Sequence, residues 1–155
     1  MNATFMQEAI RLSIEPMHRG EGGPFGAVVV KDGEILGRGW NQVTRSNDPT
    51  AHAEIVAIRE ACRRLNNFRL EGCELYASCE PCPMCLSAAY WARICRLFFA
   101  ATRRDAAEAG FDDEMIYQEI PLPPSNRVLP TVQFLRDPAL AAFVGWRAKP
   151  DRIPY

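Results

Sequence analysis

The stretch SCEPCPMC, residues 78–85, carries three cysteines and two prolines within eight residues. Cys82-Pro-Met-Cys85 places two thiols three positions apart, and this spacing puts both on one face of a first helical turn. Proline suits the first position of a helix, because the N–H that it lacks would have no partner there. The partial positive charge at a helix start also stabilises thiolates. The stretch therefore predicts a helix that begins with two metal-binding thiols.

A zinc site needs further ligands, and the chain contains only two histidines. One of them, His52, opens the sequence His-Ala-Glu at the start of a second predicted helix, and two neighbouring helices could bring their first turns together. The set of His52, Cys82 and Cys85 leaves a fourth coordination position open, which is typical of a catalytic zinc site. Glu54 lies about 200° around the helix from His52, where its carboxylate could cover that position and carry protons. We expect one zinc ion per chain.

Three other interpretations of the cysteines stay open at this point. Cys79 could be a fourth ligand, which would make the zinc structural. The Cys-x-x-Cys-x-x-Cys run also begins a ferredoxin-type cluster sequence, but the expected fourth cysteine is absent because residue 89 is alanine. A redox-active Cys-x-x-Cys pair is the third interpretation, and it leaves the His-Ala-Glu sequence unexplained.

Composition narrows the class of protein. The 155 residues are 48% apolar, which is enough for one domain with its own core. A net charge of −1 gives no general attraction to nucleic acid or to an anionic membrane. No apolar run approaches the roughly 20 residues that span a bilayer, and the N-terminus does not resemble a signal peptide. We therefore expect a cytoplasmic protein whose six cysteines serve as ligands or in the core rather than in disulfides.

Strands and helices alternate along the chain from residue 26 onward. Asp32-Gly33 between two apolar runs is a strong hairpin signal, and Pro130 makes the last predicted strand an edge strand. Predicted helices cover 4–19, 52–65, 81–94 and 138–149, and predicted strands cover 26–30, 35–40, 73–78, 96–102 and 128–135. This order is typical of an α/β protein, a three-layer α/β/α sandwich with a mixed sheet. A helix joins the third and fourth strands, which should therefore be parallel.

The spacing of these motifs resembles a known signature. His52-Ala53-Glu54 followed thirty residues later by Pro-Cys82-x-x-Cys85 fits the H-x-E…P-C-x-x-C pattern of zinc nucleobase deaminases. The chain thus resembles the cytidine deaminase superfamily. That resemblance implies a five-stranded mixed sheet with helices on both faces, and a single deaminase domain over residues 1–155.

Within that superfamily, most of the chain resembles bacterial guanine deaminase of the cytidine deaminase type. The segments that carry this resemblance are GGPFGAVVVKDGEI (22–35), SNDPTAHAE (46–54), LYASCEPCPMCLSAAYWAR (75–93) and DAAEAGFDDEMIYQEI (105–120). The tRNA adenosine deaminases share EPCPMC, but they typically place a Thr-Leu pair before it and Gly/Ser-rich sequence after the fourth strand. Ser78-Cys79 and the Gly-Phe-Asp-Asp segment at 110–113 depart from both features.

The resemblance implies hydrolytic deamination of guanine to xanthine and ammonia by a zinc-bound hydroxide, with Glu54 as the proton shuttle. Asp113 is expected to accept hydrogen bonds from guanine and to act as a second proton carrier. The expected substrate-binding residues are Phe25, Asn41, Trp91 and Tyr155. A homodimer is also implied, in which a C-terminal segment of about residues 138–155 is exchanged between subunits.

Plainer roles remain open for several of these residues. Asn41 could be a turn residue, Phe25 and Trp91 could be core residues, and Asp112 or Asp113 could cap a helix. Two other functions also stay open for the whole chain. One is tRNA adenosine deamination, and the other is a non-catalytic zinc-stabilised binding module, which would not need Glu54.

Overall fold

A four-stranded sheet organises the N-terminal part of the chain in the computed structural model, which describes residues 1–154. The strands are β1 (Gly26–Lys31), β2 (Glu34–Trp40), β3 (Glu74–Cys79) and β4 (Arg96–Ala101). Their order across the sheet is β2-β1-β3-β4. β1 is antiparallel to both β2 and β3, whereas β3 and β4 are parallel, as the sequence predicted.

Seven α-helices and one 3₁₀ turn lie within the described residues. They are α1 (Ala3–His18), α2 (Val43–Ser46), α3 (Ala53–Leu65), α4 (Pro83–Trp91), α5 (Arg103–Glu108), α6 (Glu114–Glu119), the 3₁₀ turn (Pro124–Asn126) and α7 (Arg136–Ala148). The elements fall into two compact units, Met1–Asp113 and Glu114–Tyr155. No helix among the described residues is long and apolar enough to cross a membrane.

The sheet of the first unit is covered on both faces, because alternate residues of β1 point in opposite directions. Ala27 and Val29 belong to the core cluster that contains α3 and the end of α4. Val28 and Val30 belong to a second cluster with α1. The predicted α/β class with helices on both faces of a mixed sheet is therefore confirmed for this unit.

The predicted fifth strand is wrong. Residues 128–135 form no strand, and the sheet has four strands among the described residues rather than five. Pro130 has no N–H to donate to a ladder. The apolar side chains on either side of it are exposed and do not alternate between a buried and an open face, as Val128 at 76% and Val132 at 84% show.

Two glycines of β2 allow α3 to lie close against the sheet. A Cβ atom on Gly39 would stand 2.0 Å from the carbonyl oxygen of Ala53, and one on Gly37 would stand 2.2 Å from that of Ala57. These distances are far below van der Waals contact. The glycines therefore set the position of the first two turns of α3, where His52 and Glu54 lie.

We expect Gly39→Ala to lower the free energy of unfolding by about 1–3 kcal/mol, because the added methyl group pushes α3 away from β2. Urea denaturation of the zinc-loaded protein measures this change. Gly145→Ala is the control: Gly145 lies in α7 with no atom within 4 Å of its added Cβ. This control should be neutral or stabilising by up to about 1 kcal/mol. Equal stability of the Gly39 variant and wild type would contradict the close packing.

Candidate metal and substrate site

The residues that precede α3 and α4 are two of the three metal ligands that the sequence predicted. His52 is the N-cap of α3 and Cys82 is the N-cap of α4. Both have extended backbone conformations, and neither side chain caps its own helix within the described chain. A proline does occupy the start of α4, but it is Pro83, two residues after the predicted start at Pro81. The His52 imidazole and the Cys82 thiol are therefore available to interact with each other.

The structure brings His52, Cys82 and Cys85 together. His52 Nδ1 lies 3.6 Å from Cys82 Sγ and 3.5 Å from Cys85 Sγ. All three potential ligand atoms lie within 4.8 Å of one another. A tetrahedral ion with Zn–S bonds of about 2.3 Å and Zn–N bonds of about 2.0–2.1 Å would separate nitrogen from sulfur by about 3.6 Å. These three residues therefore fit a zinc ion.

Cys79 lies outside this group. Its Sγ is 3.5 Å from the carbonyl oxygen of Thr102, to which the thiol donates a hydrogen bond. Burial raises the pKa of this thiol to about 11, which disfavours the thiolate that a metal ligand must be. The geometry therefore favours three protein ligands over a closed site of four.

The two thiols of the group differ in their acidity. A hydrogen bond from Cys85 lowers the pKa of Cys82 to about 4. The same hydrogen bond, together with burial, raises the pKa of Cys85. The hydrogen bond with Cys82 raises the pKa of His52. By itself the pair favours one thiolate and one thiol, whereas a bound divalent cation favours two thiolates.

Glu54 is a buried carboxyl group beside the metal group. It lies in the first turn of α3, and its exposed fraction is 8%. Burial is the largest cause of its raised pKa, and its carboxyl group also interacts with the Cys85 thiol. The rise has a physical reason, because removing a carboxyl group from water disfavours its charged form. The Glu54 carboxyl group therefore lies directly beside one of the three potential metal ligands.

Asp113, the last residue of the first unit, is a partly buried carboxyl group that the charge of Cys82 influences. Burial raises its pKa, and the next largest cause is the negative charge of Cys82. The residues before Asp113 are held by an aromatic contact that the sequence did not indicate. The rings of Phe25 and Phe111 meet edge to face, with centroids 5.0 Å apart and planes at 88°.

Asn41 is a buried amide at the end of β2, with 8% of its surface exposed. Its Oδ1 accepts hydrogen bonds from the N–H groups of Gly23, at 3.4 Å, and Val43, at 3.2 Å. The next residue, Gln42, donates its N–H to the carbonyl oxygen of Ala51 at 2.9 Å. Ala51 directly precedes the metal-binding histidine, so the end of β2 lies beside the start of α3.

Two of the predicted substrate residues are not brought into this group. Trp91 is the last residue of α4, about 13 Å along the helix axis from Cys82, and 64% of its surface is exposed. Tyr155 lies outside the described residues. The roles of Trp91 and Tyr155 in the substrate pocket stay predictions.

A mixed sheet with a His/Cys/Cys group at two helix starts and a buried glutamate beside it defines a zinc-dependent deaminase class. The chain belongs to the family described as the cytidine and deoxycytidylate deaminase zinc-binding region, whose model matches residues 1–101. Family membership and the group of three ligand atoms together support one zinc ion per chain.

The chain is similar to several named proteins over much or all of its length. The chain is 55% identical to guanine deaminase of Bacillus subtilis over 152 residues, which is 98% of this chain and 97% of the relative. An X-ray structure of guanine deaminase from Bacillus subtilis matches with a TM-score of 0.97 and 52% identity, covering 100% of this chain and 99% of that one. A tRNA-specific adenosine deaminase of Aquifex aeolicus is 50% identical over 97 residues, 63% of this chain and 64% of the relative.

Proposed function

We propose that this chain hydrolyses guanine to xanthine and ammonia, and that one zinc ion is held by His52, Cys82 and Cys85. The observation that carries the proposal is the 55% identity to a guanine deaminase across 98% of the chain. The tRNA-type relative matches only 63% of the chain. The similarity to guanine deaminase over nearly the full length also supports a single deaminase domain over residues 1–155.

The reaction replaces the C2 amine of guanine by oxygen. A zinc ion held by His52, Cys82 and Cys85 would lower the pKa of a bound water molecule and so activate it for nucleophilic attack near neutral pH. Glu54 accepts a proton from the attacking water and transfers it to ring N3 of guanine. It then helps to protonate the leaving nitrogen, so that the products are xanthine and ammonia. Burial of Glu54 beside Cys85 supports this assignment.

Guanine presents hydrogen-bond donors at N1 and at the C2 amine, and acceptors at O6 and N7. The Asp113 carboxylate can accept from the donors, and the Asn41 amide can serve the acceptors. Phe25 belongs to the loop that also contacts Asn41, and its ring can pack on the purine face. These roles are supported by the influence of the Cys82 charge on Asp113 and by the position of Asn41 near the start of α3.

We expect Asp113→Ala to lower kcat/KM for guanine by about 5- to 150-fold, because an unpaired buried donor costs about 1–3 kcal/mol. Loss of a proton carrier would make the decrease larger. Steady-state xanthine formation measures the effect, and zinc content should not change. Asp112→Ala is the matched control, because Asp112 is the exposed neighbour in the same segment. A larger loss of kcat/KM with Asp112→Ala than with Asp113→Ala would show that Asp112, not Asp113, contacts guanine.

The second unit supports a homodimer as part of this proposal. Within residues 114–154 no residue is buried, and large apolar side chains of α7 are exposed, including Phe143 at 65% and Trp146 at 40%. Apolar surface of this kind is typical of a protein–protein interface. A second copy of the chain would cover it if the C-terminal segment, about residues 138–155, were exchanged between subunits.

Removal of residues 150–155 tests this exchange. We expect the shortened protein to lose most guanine turnover but to keep its zinc. Mixing it with the Glu54→Gln protein, followed by subunit exchange, should restore part of the activity, because one of the two sites in the mixed dimer is then complete. Each protein mixed with wild type serves as the control for exchange. Full activity of the shortened protein would contradict a role for this segment in the site.

The proposed function is tested by ammonia release from guanine, adenine, cytosine and an anticodon stem-loop RNA. We expect release from guanine only. Release from the RNA alone would identify the tRNA-type activity, and release from none of them would favour a zinc-stabilised binding module. A cytoplasmic location also stays a prediction.

A further inference from the structure

We infer that Asp48 is a positioning residue for the metal site: its carboxylate fixes the backbone of residues 49–52, and with it the position of the His52 imidazole opposite the two thiols. The inference rests on the zinc site of the proposed function and adds a residue that acts on zinc binding without touching zinc or substrate. Asp48 lies between α2 and α3, four residues before His52.

The Asp48 carboxylate closes a local turn on Thr50. Its Oδ1 accepts hydrogen bonds from the Thr50 N–H at 2.8 Å and from the Thr50 hydroxyl at 2.7 Å. An aspartate that accepts from the residue two positions further on forms an Asx turn, which bends the backbone locally. The hydrogen bond from the hydroxyl, followed by that from the N–H, lowers the pKa of Asp48. The carboxylate therefore stays charged and able to accept both hydrogen bonds at neutral pH.

The second oxygen of the Asp48 carboxylate faces α3. Arg59 Nη1 lies 3.6 Å from Asp48 Oδ2, and Arg59 Nη2 donates to the Thr50 hydroxyl oxygen at 3.5 Å. Arg59 belongs to α3 and lies seven residues, or about two turns, after His52. The guanidinium group thus connects the Asx turn to the helix that His52 precedes. Because both side chains of the ion pair are partly exposed, the hydrogen bonds to Thr50 have the larger effect.

The turn is connected to His52 through the backbone. The His52 N–H donates to the Thr50 carbonyl oxygen at 2.8 Å, and the Ala51 N–H donates to the Asp48 carbonyl oxygen at 3.1 Å. His52 Nδ1 lies 3.5 Å from one thiol sulfur and 3.6 Å from the other, which suits a tetrahedral zinc ion. Zinc sites keep their ligand distances to within about 0.2 Å. A small shift of the His52 backbone is therefore enough to weaken zinc binding.

Asp48→Ala and Asp48→Asn test the inference as a pair. Alanine removes the acceptor of both Thr50 hydrogen bonds, whereas the oxygen of an asparagine amide keeps an acceptor there. The dissociation constant for zinc is measured by competition with a chromophoric chelator. We expect Asp48→Ala to weaken zinc binding about 10- to 100-fold and Asp48→Asn to stay within about threefold of wild type, because losing a residue that orients a metal ligand has an effect of this size. Wild-type affinity in Asp48→Ala, or equal losses in the two variants, would overturn the inference.

Asp105→Ala is the matched control, because it breaks the same kind of local turn at another helix start. Asp105 Oδ2 accepts from the N–H and from the hydroxyl of Thr102, each at 2.7 Å, at the start of α5. A general loss of local stability would affect both alanine variants, but only Asp48→Ala should weaken zinc binding. The visible absorption of bound Co²⁺, which depends on ligand geometry, should change in Asp48→Ala alone. Equal zinc affinities in the two variants would show that Asp48 does not position His52.

Thr50→Val decides the question if Asp48→Ala does not fold. Valine removes the hydroxyl donor and leaves the Thr50 N–H bonded to Asp48. We expect zinc binding to weaken about 2- to 10-fold, which corresponds to the loss of one hydrogen bond. Unchanged zinc affinity in Thr50→Val would then overturn the inference.

The failure of this inference can be distinguished from the failure of the proposed function, because zinc affinity is measured without guanine. If wild type binds zinc but releases no ammonia from guanine, the reaction is wrong, and a loss of zinc affinity in Asp48→Ala still supports the positioning role. If wild type deaminates guanine and Asp48→Ala keeps wild-type zinc affinity, the reaction stands and the inference fails. No zinc binding by wild type would overturn both.

Discussion

Glu54→Gln is expected to abolish guanine turnover while zinc content and thermal stability stay close to those of wild type. The amide keeps the size of the side chain but cannot accept and release a proton. General acid–base catalysis contributes about 10²–10⁴-fold. We expect a loss at the upper end of this range or beyond, because Glu54 handles more than one proton in each cycle. Xanthine formation followed by absorbance, with zinc measured by atomic emission, separates the two effects.

Glu60→Gln is the matched control for this variant. Glu60 lies on the same helix, α3, and its carboxylate accepts a hydrogen bond from the N–H of Arg38 at 2.6 Å, outside the metal group. The Glu60→Gln protein should keep nearly all of the wild-type activity. Retention of a tenth of wild-type turnover by the Glu54 variant would remove Glu54 from the proton transfers.

Cys82→Ala is expected to lose nearly all bound zinc, and with it all guanine turnover. The alanine leaves only His52 and Cys85, and a tetrahedral zinc site with two protein ligands is far weaker than one with three. Metal analysis after dialysis against a weak chelator measures the loss. The control is Cys79→Ala, which removes the neighbouring thiol that donates to Thr102 instead.

This pair of variants also tests the choice of ligands. Zinc retained in Cys82→Ala but lost in Cys79→Ala would show that the ligand set is wrong. Loss from both would indicate a four-ligand site in which the zinc is structural.

The ligands were predictable from the sequence because each one lies at a local signal. Pro83 marks the start of α4, and the spacing of Cys82 and Cys85 places their thiols on one face of a helical turn. The sequence alone did not determine that the starts of α3 and α4 lie side by side, because this depends on how α3 packs on the sheet. The close approach at Gly39 that sets this position has no signature other than a glycine within a strand.

The wrong prediction of a fifth strand shows the limit of predicting strands from the local sequence pattern. Residues 128–135 combine β-branched and aromatic side chains, which favour a strand. A strand also requires a partner with free N–H and C=O groups, and nothing in a single sequence identifies that partner. These residues belong to the second unit, where no described residue is buried.

The orientation of Asn41 was also beyond the sequence. A polar residue at the end of a predicted strand indicates a turn or a ligand contact equally well. In the structure the N–H of Gly23, eighteen residues earlier in the chain, donates to Asn41 Oδ1. Two glycines in succession indicated a loop, but not the side chain that the loop contacts.

Zinc titration of metal-stripped protein tests the central claim most directly, which is that one zinc ion bound by His52, Cys82 and Cys85 is required for guanine deamination. The protein is stripped with a chelator, zinc is added back in steps, and xanthine formation from guanine is measured at each step. We predict that activity rises in proportion to added zinc and reaches a plateau at one ion per chain. Full activity in the stripped protein, or a plateau at two ions per chain, would contradict the claim.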